Sequence, residues 1–379
     1  MKSCSLGIWN ESIPGFRLDE HGVSNYARIQ QNLMKDFPLG VEAARNWENI
    51  LKEIRLHGKG KRYDCIIGVS GGTDSSYLLH LAKEWGLRPL AVNLDNGWSS
   101  EIAVKNIKAM TNALGIDLET YVVDYEEMKD ILRAFMRAGL PWVDNPTDQA
   151  IKSILLRYAR REGIKSVLLG TDFRSEGKQP TEWTYGDYRQ LKFIHKHYGN
   201  GVRNSYPANS LWNTFYSGYL RRIKLYAPFN FVAYNKQYAQ QFLERNYAWQ
   251  YYGEHHHENV FTKWVIGYWM YAKFGIDKRI ITYSAQVLNG VITRDEAIRI
   301  CSQQPYKSDI IERDTEFVLK KLEISTKEFE SIWNAPCRSF ADYPSWYFLI
   351  RKFARFVMPL SKLVLSAKPK LFYEMEQRK

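Results

Sequence analysis

The chain has 379 residues, of which 45% are hydrophobic and 15% aromatic, a composition that excludes a disordered polymer and can bury a large core. Its net charge of +12 favours a phosphate-rich partner, whether a nucleic acid, a sugar nucleotide or an anionic membrane surface. The apolar residues are interrupted too often to form a membrane-spanning run, so we expect one α/β domain with a helical extension.

Residues 1–60 form an amino-terminal preface in our interpretation. Turn-forming residues at 15–23 predict a short hairpin or turn, and apolar spacing predicts a helix near 40–56 that packs on a sheet edge. The first residues contain no apolar stretch long enough for a signal peptide, so a cytoplasmic protein is expected.

The four cysteines lie far apart in the chain and form no C-x₂-C pair. That spacing indicates neither a disulfide framework nor a zinc site built from four thiolates. We therefore expect reduced thiols at Cys4, Cys65, Cys301 and Cys337.

Strands and helices alternate from residue 64 onward. Such alternation predicts a doubly wound parallel sheet, an α/β fold in which ligands bind beyond the carboxyl ends of the strands. We assign residues 61–200 to this domain and residues 201–379 to a mainly α-helical substrate or partner subdomain. The strands are predicted at 64–69, 89–95, 118–123 and 164–169, and the helices at 75–86, 99–114, 126–139 and 147–162.

The stretch 70–76, Ser-Gly-Gly-Thr-Asp-Ser-Ser, lies where the first of these strands passes into a helix. Its glycines let backbone N–H groups turn toward an anion, its serines add hydroxyl donors, and the helix N-terminus favours the negative charge of a pyrophosphate. A carboxylate beside phosphates is repulsive unless a divalent cation lies between them, so Asp74 is predicted to be a Mg²⁺ ligand. The alternative is a Gly-Gly turn in which Asp74 or Ser75 only caps the helix.

The string S-G-G-x-D-S resembles the signature of the PP-loop ATP pyrophosphatases, and the chain has no Walker-type G-x-x-x-x-G-K-[ST] string. The resemblance implies that ATP is cleaved between its α and β phosphates, that a carbonyl oxygen is adenylated and that pyrophosphate leaves. It also implies that adenosine binds at 93–97, although this segment alone is typical of an ordinary Asn-Gly turn. The predicted ATP-binding residues are Gly68, Val69, Ser70, Gly71, Gly72, Asp74, Ser75, Ser76, Asn93, Leu94, Asp95, Gly170, Thr171 and Asp172.

Residues 173–260 break the alternation and are rich in Trp, Tyr, Lys and Arg. Long loops beside the functional edge of a sheet usually build a substrate pocket or lid. From about residue 235 the pattern is helical again, with capping boxes predicted at Thr293 and Ser325. After about residue 340, basic and apolar residues interleave, which fits either a packed terminal helix or a basic amphipathic segment that touches a membrane or a partner.

Further stretches resemble the N-acetyl sugar amidotransferases of surface-polysaccharide and flagellar-glycan synthesis, and they cover most of the chain. The matching stretches are 145–151, 169–177, 185–187, 252–253 with His256 and Glu258, and 273–279. This resemblance implies that the acetamido group of a sugar nucleotide, or of a related acidic sugar, becomes an acetamidino group with ATP and ammonia. The predicted substrate residues are Trp98, Asn145, Asp148, Gln149, Arg174, Glu176, Trp183, His256 and Glu258.

The implied chemistry makes physical sense because an amide is a poor electrophile. Transfer of AMP to its oxygen creates an imidate with a good leaving group, and ammonia can then displace AMP. We predict that Mg²⁺ on Asp74 and the donors Ser70, Ser75 and Lys178 neutralise the charge on the α-phosphate, with Asp74, Ser70 and Lys178 as the catalytic residues.

The sequence departs from this family at its amino terminus. The family commonly begins with a cysteine-rich zinc-binding segment, whereas here only Cys4 remains and later positions are Ser24 and Ala27. Zinc at 255–257 is not expected, because three adjacent histidines on one element cannot converge on one ion. His256 and Glu258 fit a substrate contact better, and the alternative is a surface cap of the following helix.

Glutamine hydrolysis is not expected of this chain, because residue 2 is Lys2 and Cys65 lies in a buried strand. The resemblance implies a separate glutaminase, similar to that of histidine biosynthesis, and a barrel-type ammonia-conducting partner. One rival is a tRNA-modifying PP-loop enzyme, which the positive charge favours. The lack of paired cysteines and of a separate RNA-binding module argues against it, so we expect no specific nucleic-acid partner. Another rival is an ATP-binding scaffold of a glycan-assembly complex without catalysis.

Overall fold

A computed structural model describes residues 2–201, 205–253, 258–364 and 368–377 of the chain. Within them, five parallel strands form one sheet in the order β3-β2-β1-β4-β5. The first four strands confirm the sequence prediction to within about two residues at each end, as is usual for element boundaries. The strands are β1 (Cys65–Gly68), β2 (Pro89–Asp95), β3 (Leu118–Val122), β4 (Ser166–Leu168) and β5 (Lys224–Tyr226).

The sheet is covered by helices on both faces, as a doubly wound sheet requires. Along β1, Cys65 and Ile67 face one hydrophobic cluster, whereas Ile66 faces another. Helices α2 (Val41–Gly58), α3 (Thr73–Glu84) and α4 (Glu101–Leu114) pack on the first face, and α6 (Asn145–Arg161) packs on the second. The predicted doubly wound α/β fold is thereby confirmed.

The remaining helices surround the sheet and build the carboxyl-terminal half. The early ones are α1 (Asn25–Asp36), α5 (Tyr125–Arg137), α7 (Phe173–Glu176), α8 (Thr181–Thr184), α9 (Tyr188–Tyr198) and α10 (Leu211–Phe215), which continues as a π-helical segment (Tyr216–Leu220). The later ones are α11 (Lys236–Asn246), α12 (Val260–Trp264) with a π-helical continuation (Val265–Lys273), α13 (Arg279–Leu288), α14 (Arg294–Cys301), α15 (Ser308–Lys321), α16 (Thr326–Asn334), α17 (Tyr347–Lys352), α18 (Ala354–Val364) and α19 (Lys370–Gln377). The helical carboxyl-terminal region is as predicted.

The predicted helix starts at Thr293 and Ser325 are confirmed by their caps. The Thr293 hydroxyl accepts a hydrogen bond from Glu296 N, and the Ser325 hydroxyl accepts one from Glu328 N. Each bond satisfies one of the four free N–H groups that open a helix.

The amino-terminal preface folds back on the helical half. A turn at 19–23 is closed by the bond from Asp19 N to Val23 O, as the sequence predicts. Cys4 is buried as a free thiol, and its sulfur accepts a hydrogen bond from Ser24 N. Cys4 belongs to one hydrophobic cluster with Phe135 and Tyr373, so the predicted division at residues 60 and 200 stays a prediction about folding units. No helix of the described residues is both long and apolar enough to cross a membrane.

Candidate functional site

The loop between β1 and α3 has the shape of an anion cradle. Gly71 has a φ of +79°, and a Cβ there would lie 2.2 Å from the carbonyl oxygen of Ala103, so only glycine fits. Gly72 precedes α3 in an extended conformation, and its N–H donates to Ser70 Oγ over 3.3 Å. The Ser75 hydroxyl donates to Gly72 O and accepts from Ser70 N. The N-terminus of α3 therefore opens on a pre-formed turn.

Asn106 on α4 links this loop to the segment near residue 250 by hydrogen bonds. Its Nδ2 donates to Gly71 O over 3.2 Å and to Gln250 O over 2.8 Å, and its Oδ1 accepts from Gln250 N. Because Asn106 is fully buried, it fixes the spacing between the loop and the segment near residue 250.

Asp74, in the first turn of α3, is flanked by two side chains from beyond β5. The Tyr234 hydroxyl donates to Oδ1, and the Lys236 ammonium lies 3.1 Å from Oδ2. Burial is the largest single influence on the pKa of Lys236 and lowers it, but the charge of Asp74, together with Tyr252 and Glu258, makes the net shift upward. Burial, followed by the charge of Asp74, raises the pKa of Tyr234. Asp74 thus faces a permanent cation as well as a neutral phenol.

The donor set around Asp74 suits Mg²⁺ only with help from a substrate. Among the described residues, no group of three His, Cys, Asp or Glu side chains is arranged to hold a metal ion. Mg²⁺ is commonly held by one or two carboxylates together with substrate phosphates and water. A single carboxylate at a phosphate cradle fits that pattern, so Asp74 is suited to hold Mg²⁺ in an ATP complex.

The segment 234–252 covers the start of α3 with polar contacts. Tyr252 Oη accepts from Thr73 N over 3.1 Å, and Trp249 Nε1 donates to Ser76 Oγ over 3.1 Å. Burial, followed by the charge of Glu258, raises the pKa of Tyr252 to about 12. The Tyr252 hydroxyl therefore accepts from a backbone N–H in the first turn of α3, a donor that a bound phosphate oxygen would need.

Glu258 reaches the same loop from the start of the carboxyl-terminal half. Its carbonyl accepts from Ser100 N over 2.8 Å, and its Oε1 would lie 3.3 Å from a Cβ placed on Gly72. This predicted substrate residue therefore lies beside the predicted phosphate cradle. His256, predicted with it, lies outside the described residues.

The end of β2 forms a tight turn. Asp95 Oδ1 accepts from Gly97 N over 2.9 Å, and Asn96 Nδ2 donates to Thr147 Oγ1 over 3.2 Å. The Asn-Gly turn is thus present, with Gly97 at a φ of +78°. Asn93 is buried, and adenosine binding here stays a prediction.

The end of β4 approaches the phosphate loop closely. A Cβ on Gly170 would lie 3.1 Å from Ser75 N, so the two backbones are in contact. Asp172 is buried and caps α7, accepting from Arg174 N and Ser175 N over 3.0 Å each. Burial raises the pKa of Asp172 against the effect of these bonds.

Two predicted substrate carboxylates lie around a lysine that the sequence analysis gave no role. Asp148 Oδ2 accepts from Trp142 Nε1 over 2.7 Å, and the Lys278 ammonium lies 4.1 Å from the centre of the Trp142 ring. Burial lowers the pKa of Lys278 to about 8, against the charges of Asp148, Glu176 and Asp144. We call Trp142, Asp148, Glu176 and Lys278 the acceptor cluster. Its lysine is poised between the neutral and charged forms at moderately alkaline pH.

Several other predicted residues have packing or bridging contacts. Lys178 Nζ lies 2.6 Å from Glu374 Oε2 of α19. Trp98 and Trp183 are buried in the large hydrophobic cluster. Roles for these residues in substrate binding or catalysis stay predictions. The remaining contacts are Gln149 Nε2 to Gly186 O over 3.0 Å, Arg174 Nη1 to Asn230 O over 3.2 Å, and the Asn145 side chain beneath Gly186.

The sequence analysis missed Tyr234 and Lys236 because they follow the unpredicted strand β5. Only the local density of Tyr and Lys pointed to this region. Lys278 lay within a stretch that carried the family resemblance, which was the one signal available for it.

Two family models match separate parts of the chain. Residues 65–171 match asparagine synthase, and residues 258–356 match the C-terminal domain of the LPS biosynthesis protein WbpG-like family. The first match contains the phosphate loop, and the second begins at Glu258. Together they confirm the resemblance to N-acetyl sugar amidotransferases of the PP-loop superfamily.

Two relatives match shorter parts of the chain. Uncharacterized protein MJ1599 of Methanocaldococcus jannaschii is 35% identical over 134 residues, which are 33% of this chain and 46% of that protein. The tRNA(Ile)-lysidine synthase of Chlamydia pneumoniae is 36% identical over 72 residues, which are 18% of this chain and 22% of that enzyme. The chain thus spans less than half the length of either relative.

Two solved structures show a distant likeness. The NH3-dependent NAD synthetase from Campylobacter jejuni subsp. jejuni NCTC 11168, in complex with the nitrate ion, is 14% identical with a TM-score of 0.30, covering 78% of this chain and 94% of that one. The NMN synthetase from Francisella tularensis is 13% identical with a TM-score of 0.29, covering 79% and 97%. At these TM-scores, the fold assignment depends on the strand order of the chain itself.

Proposed function

We propose that this chain, which joins an asparagine-synthase-type PP-loop region to a WbpG-like C-terminal domain, is an ATP-dependent amidotransferase of lipopolysaccharide biosynthesis. Its substrate is a nucleotide-linked N-acetyl sugar, and its product carries an acetamidino group. The products from ATP are AMP and pyrophosphate. The observation that supports this most is the meeting of Glu258 with Gly72, since it joins the two matched regions at the phosphate loop.

The loop and its neighbours bind and orient the triphosphate. The N-terminus of α3 and the hydroxyls of Ser70 and Ser75 receive the phosphate oxygens. Lys236 supplies a permanent positive charge beside Asp74, where negative charge grows as pyrophosphate leaves. Asp74 would hold Mg²⁺ when the ion is bound with ATP, and the ion would neutralise part of that charge. When ATP binds, the Thr73 N–H donates to a phosphate oxygen in place of Tyr252 Oη.

The acceptor cluster takes part in the modification of the sugar. In the first step the acetamido oxygen bonds to the α-phosphorus and the bond to pyrophosphate breaks. In the second step ammonia bonds to the imidate carbon, the bond from that carbon to the AMP oxygen breaks, and one proton must leave the attacking nitrogen. The neutral form of Lys278 accepts this proton, and the carboxylates of Asp148 and Glu176 stabilise the cationic amidine.

We further propose that free ammonia is the nucleophile and that a separate glutaminase with an ammonia-conducting barrel supplies it. Cys4 and Cys65 are buried, and burial raises the pKa values of the Cys65 and Cys301 thiols, the latter to about 12. A thiol held in its protonated form is a poor nucleophile for opening glutamine.

The test is incubation of the full chain with ATP, Mg²⁺, ammonium and a panel of nucleotide-linked acetamido sugars. Mass spectrometry should find a product in which oxygen is replaced by NH, and AMP should form in equal amount. Glutamine should replace ammonium only after a glutaminase partner is added. Formation of ADP, or AMP release without sugar modification, would contradict the proposal.

A tRNA-modifying enzyme is the second candidate, favoured by the identity with tRNA(Ile)-lysidine synthase and by the net charge of +12. The same reaction mixture with bulk tRNA discriminates between the two. AMP release that depends on tRNA and not on any sugar would establish this second candidate.

A further inference from the structure

Two long stretches of the chain contain basic residues and no carboxylates. Between Asp187 and Glu244, and again between Asp342 and Glu374, the sequence has no Asp or Glu. In a chain with 41 acidic residues, such gaps concentrate positive charge in the parts of the surface that these stretches form.

The first stretch exposes a row of aromatic side chains on α10 and its π-helical continuation. Trp212 is 66% exposed, and Phe215 and Tyr219 are also exposed. The rings of Trp212 and Phe215 lie 5.7 Å apart, and those of Phe215 and Tyr219 are stacked at 5.2 Å. Adjacent exposed aromatic rings of this kind are unusual on a monomer and mark interaction surfaces.

The second stretch exposes a similar set on α17 and α18. Phe356 is 71% exposed, and Phe348, Leu349 and Phe353 are exposed beside it. Helix α18 packs against the π-helical segment Tyr216–Leu220, so the elements that carry the two sets are neighbours in the fold. We call the two sets together the aromatic-basic face. Its exposed cations include Arg221 and Arg222 from the first stretch and Arg351, Lys352 and Arg355 from the second.

We propose that the aromatic-basic face is a docking surface for the anionic headgroup region of a membrane. Tryptophan and phenylalanine enter the boundary between headgroups and acyl chains, and arginine and lysine pair with anionic lipids. A protein partner of ordinary composition would pair some of these cations with its own carboxylates and cover the apolar rings completely. An anionic lipid surface satisfies both features without any specific complementarity.

The part of this face that α10 and its π-helical continuation form lies away from the candidate site. Ser217 Oγ accepts from Arg160 Nη1 near the end of α6, and Lys165 Nζ donates to Arg221 O just before β4. Both contacts lie at the amino ends of the strands, whereas the phosphate loop lies at their carboxyl ends. A chain docked through this part of the face keeps the carboxyl ends of the strands open to soluble substrates. The proposal does not depend on which reaction the site performs.

The test is sedimentation of the full chain with vesicles of phosphatidylcholine alone and of phosphatidylcholine with phosphatidylglycerol. We expect binding only to the anionic vesicles, and we expect salt to weaken it.

The double variant Arg221→Glu with Arg355→Glu should lower the partition coefficient by roughly 30-fold or more. The double variant Trp212→Ser with Phe356→Ser should lower the partition coefficient at any salt concentration. The control pairs Val122→Ser with Lys108→Glu, which are exposed near the opposite edge of the sheet and should change little.

Circular dichroism and the melting temperature confirm that each variant is folded. The proposal is overturned if the wild-type chain does not bind anionic vesicles, or if the control variant loses as much binding as the others. It is equally overturned if the face variants keep vesicle binding and instead lose self-association or tRNA binding, which would make this face a protein or RNA interface.

Discussion

The Lys236 ammonium lies 3.1 Å from Oδ2 of Asp74, although 162 residues separate the two in the chain. The pair joins the first turn of α3 to the start of α11 across the mouth of the phosphate loop. Lys236 therefore compensates the Asp74 charge, and in the ATP complex that we propose it would contact phosphate oxygens.

Asp74→Asn keeps the size of the side chain and removes its charge. We expect turnover to fall by roughly 10² or more, because the charge that would hold Mg²⁺ is lost. The chain should stay folded, although the loss of the ion pair with Lys236 lowers its melting temperature. Pyrophosphate release as a function of Mg²⁺ concentration measures turnover, with Asp117→Asn on the exposed surface as the control. Wild-type turnover at limiting Mg²⁺ would refute the metal role.

Lys236→Met and Lys178→Met should behave differently. Lys236→Met should lower kcat by roughly 10-fold to 10³-fold, because a charge beside the phosphates disappears. Lys178→Met should mainly lower the free energy of unfolding, by about 3 kcal/mol, because Glu374 is left buried without its cation. Steady-state kinetics and urea unfolding of both variants separate the two effects. If Lys178→Met instead removes turnover in a stably folded chain, the sequence prediction of a catalytic Lys178 was correct.

Gly71→Ala and Gly72→Ala test the two halves of the cradle. Gly71→Ala should destabilise the fold by about 1–3 kcal/mol, because its φ is positive and its Cβ would strike Ala103. Gly72→Ala should fold normally, and its larger relative Gly72→Val should abolish ATP binding in calorimetry by filling the space beside Ser70 and Tyr252. Unchanged ATP affinity in Gly72→Val would mean that the loop is only a turn.

Lys278 gives a pH dependence of stability with a definite sign. Its pKa is about 8 in the fold against a usual 10.5, so between these values the unfolded chain holds the extra proton. The free energy of unfolding of the wild type, relative to Lys278→Met, should therefore rise by about 1–3 kcal/mol from pH 8 to 10.5, the upper limit being reduced by partial solvent access. Urea unfolding across this range measures the difference. A difference that is flat or falls with pH would contradict the burial of this ammonium.

Four of the five strands were predictable because strand and helix patterns alternate along this part of the sequence, and β1 is a short apolar run. The strand 89–95 was predicted at the residues where it is found. Strand β5 was not predicted because Lys224–Tyr226 is too short to show any periodicity and joins the sheet by pairing with β4. Tertiary pairing, rather than local sequence, determines such a strand.

The turn at 70–76 was predictable for a similar reason, since it is determined by seven consecutive residues. That this loop binds phosphate stays a prediction. The partners of Asp74 were not predictable, because they come from a distant segment that only the fold brings back. Lys178 was predicted as a catalytic residue from its place in a motif, and its ion pair with Glu374 of α19 was not predictable from that motif. Its catalytic role stays a prediction. Which cation of a basic chain reaches a site is decided by packing, which the local pattern does not encode.

The adenylated imidate is the central claim, and an isotope label tests it most directly. A sugar nucleotide carrying ¹⁸O in its acetamido carbonyl is incubated with the chain, ATP, Mg²⁺ and ammonium, and the AMP is analysed by mass spectrometry. Our account predicts one ¹⁸O in the phosphoryl group of each AMP, because the bond from the acetamido carbon to that oxygen breaks when ammonia enters. AMP that forms with the sugar modified but without the label, or label found in inorganic phosphate together with ADP, would contradict it.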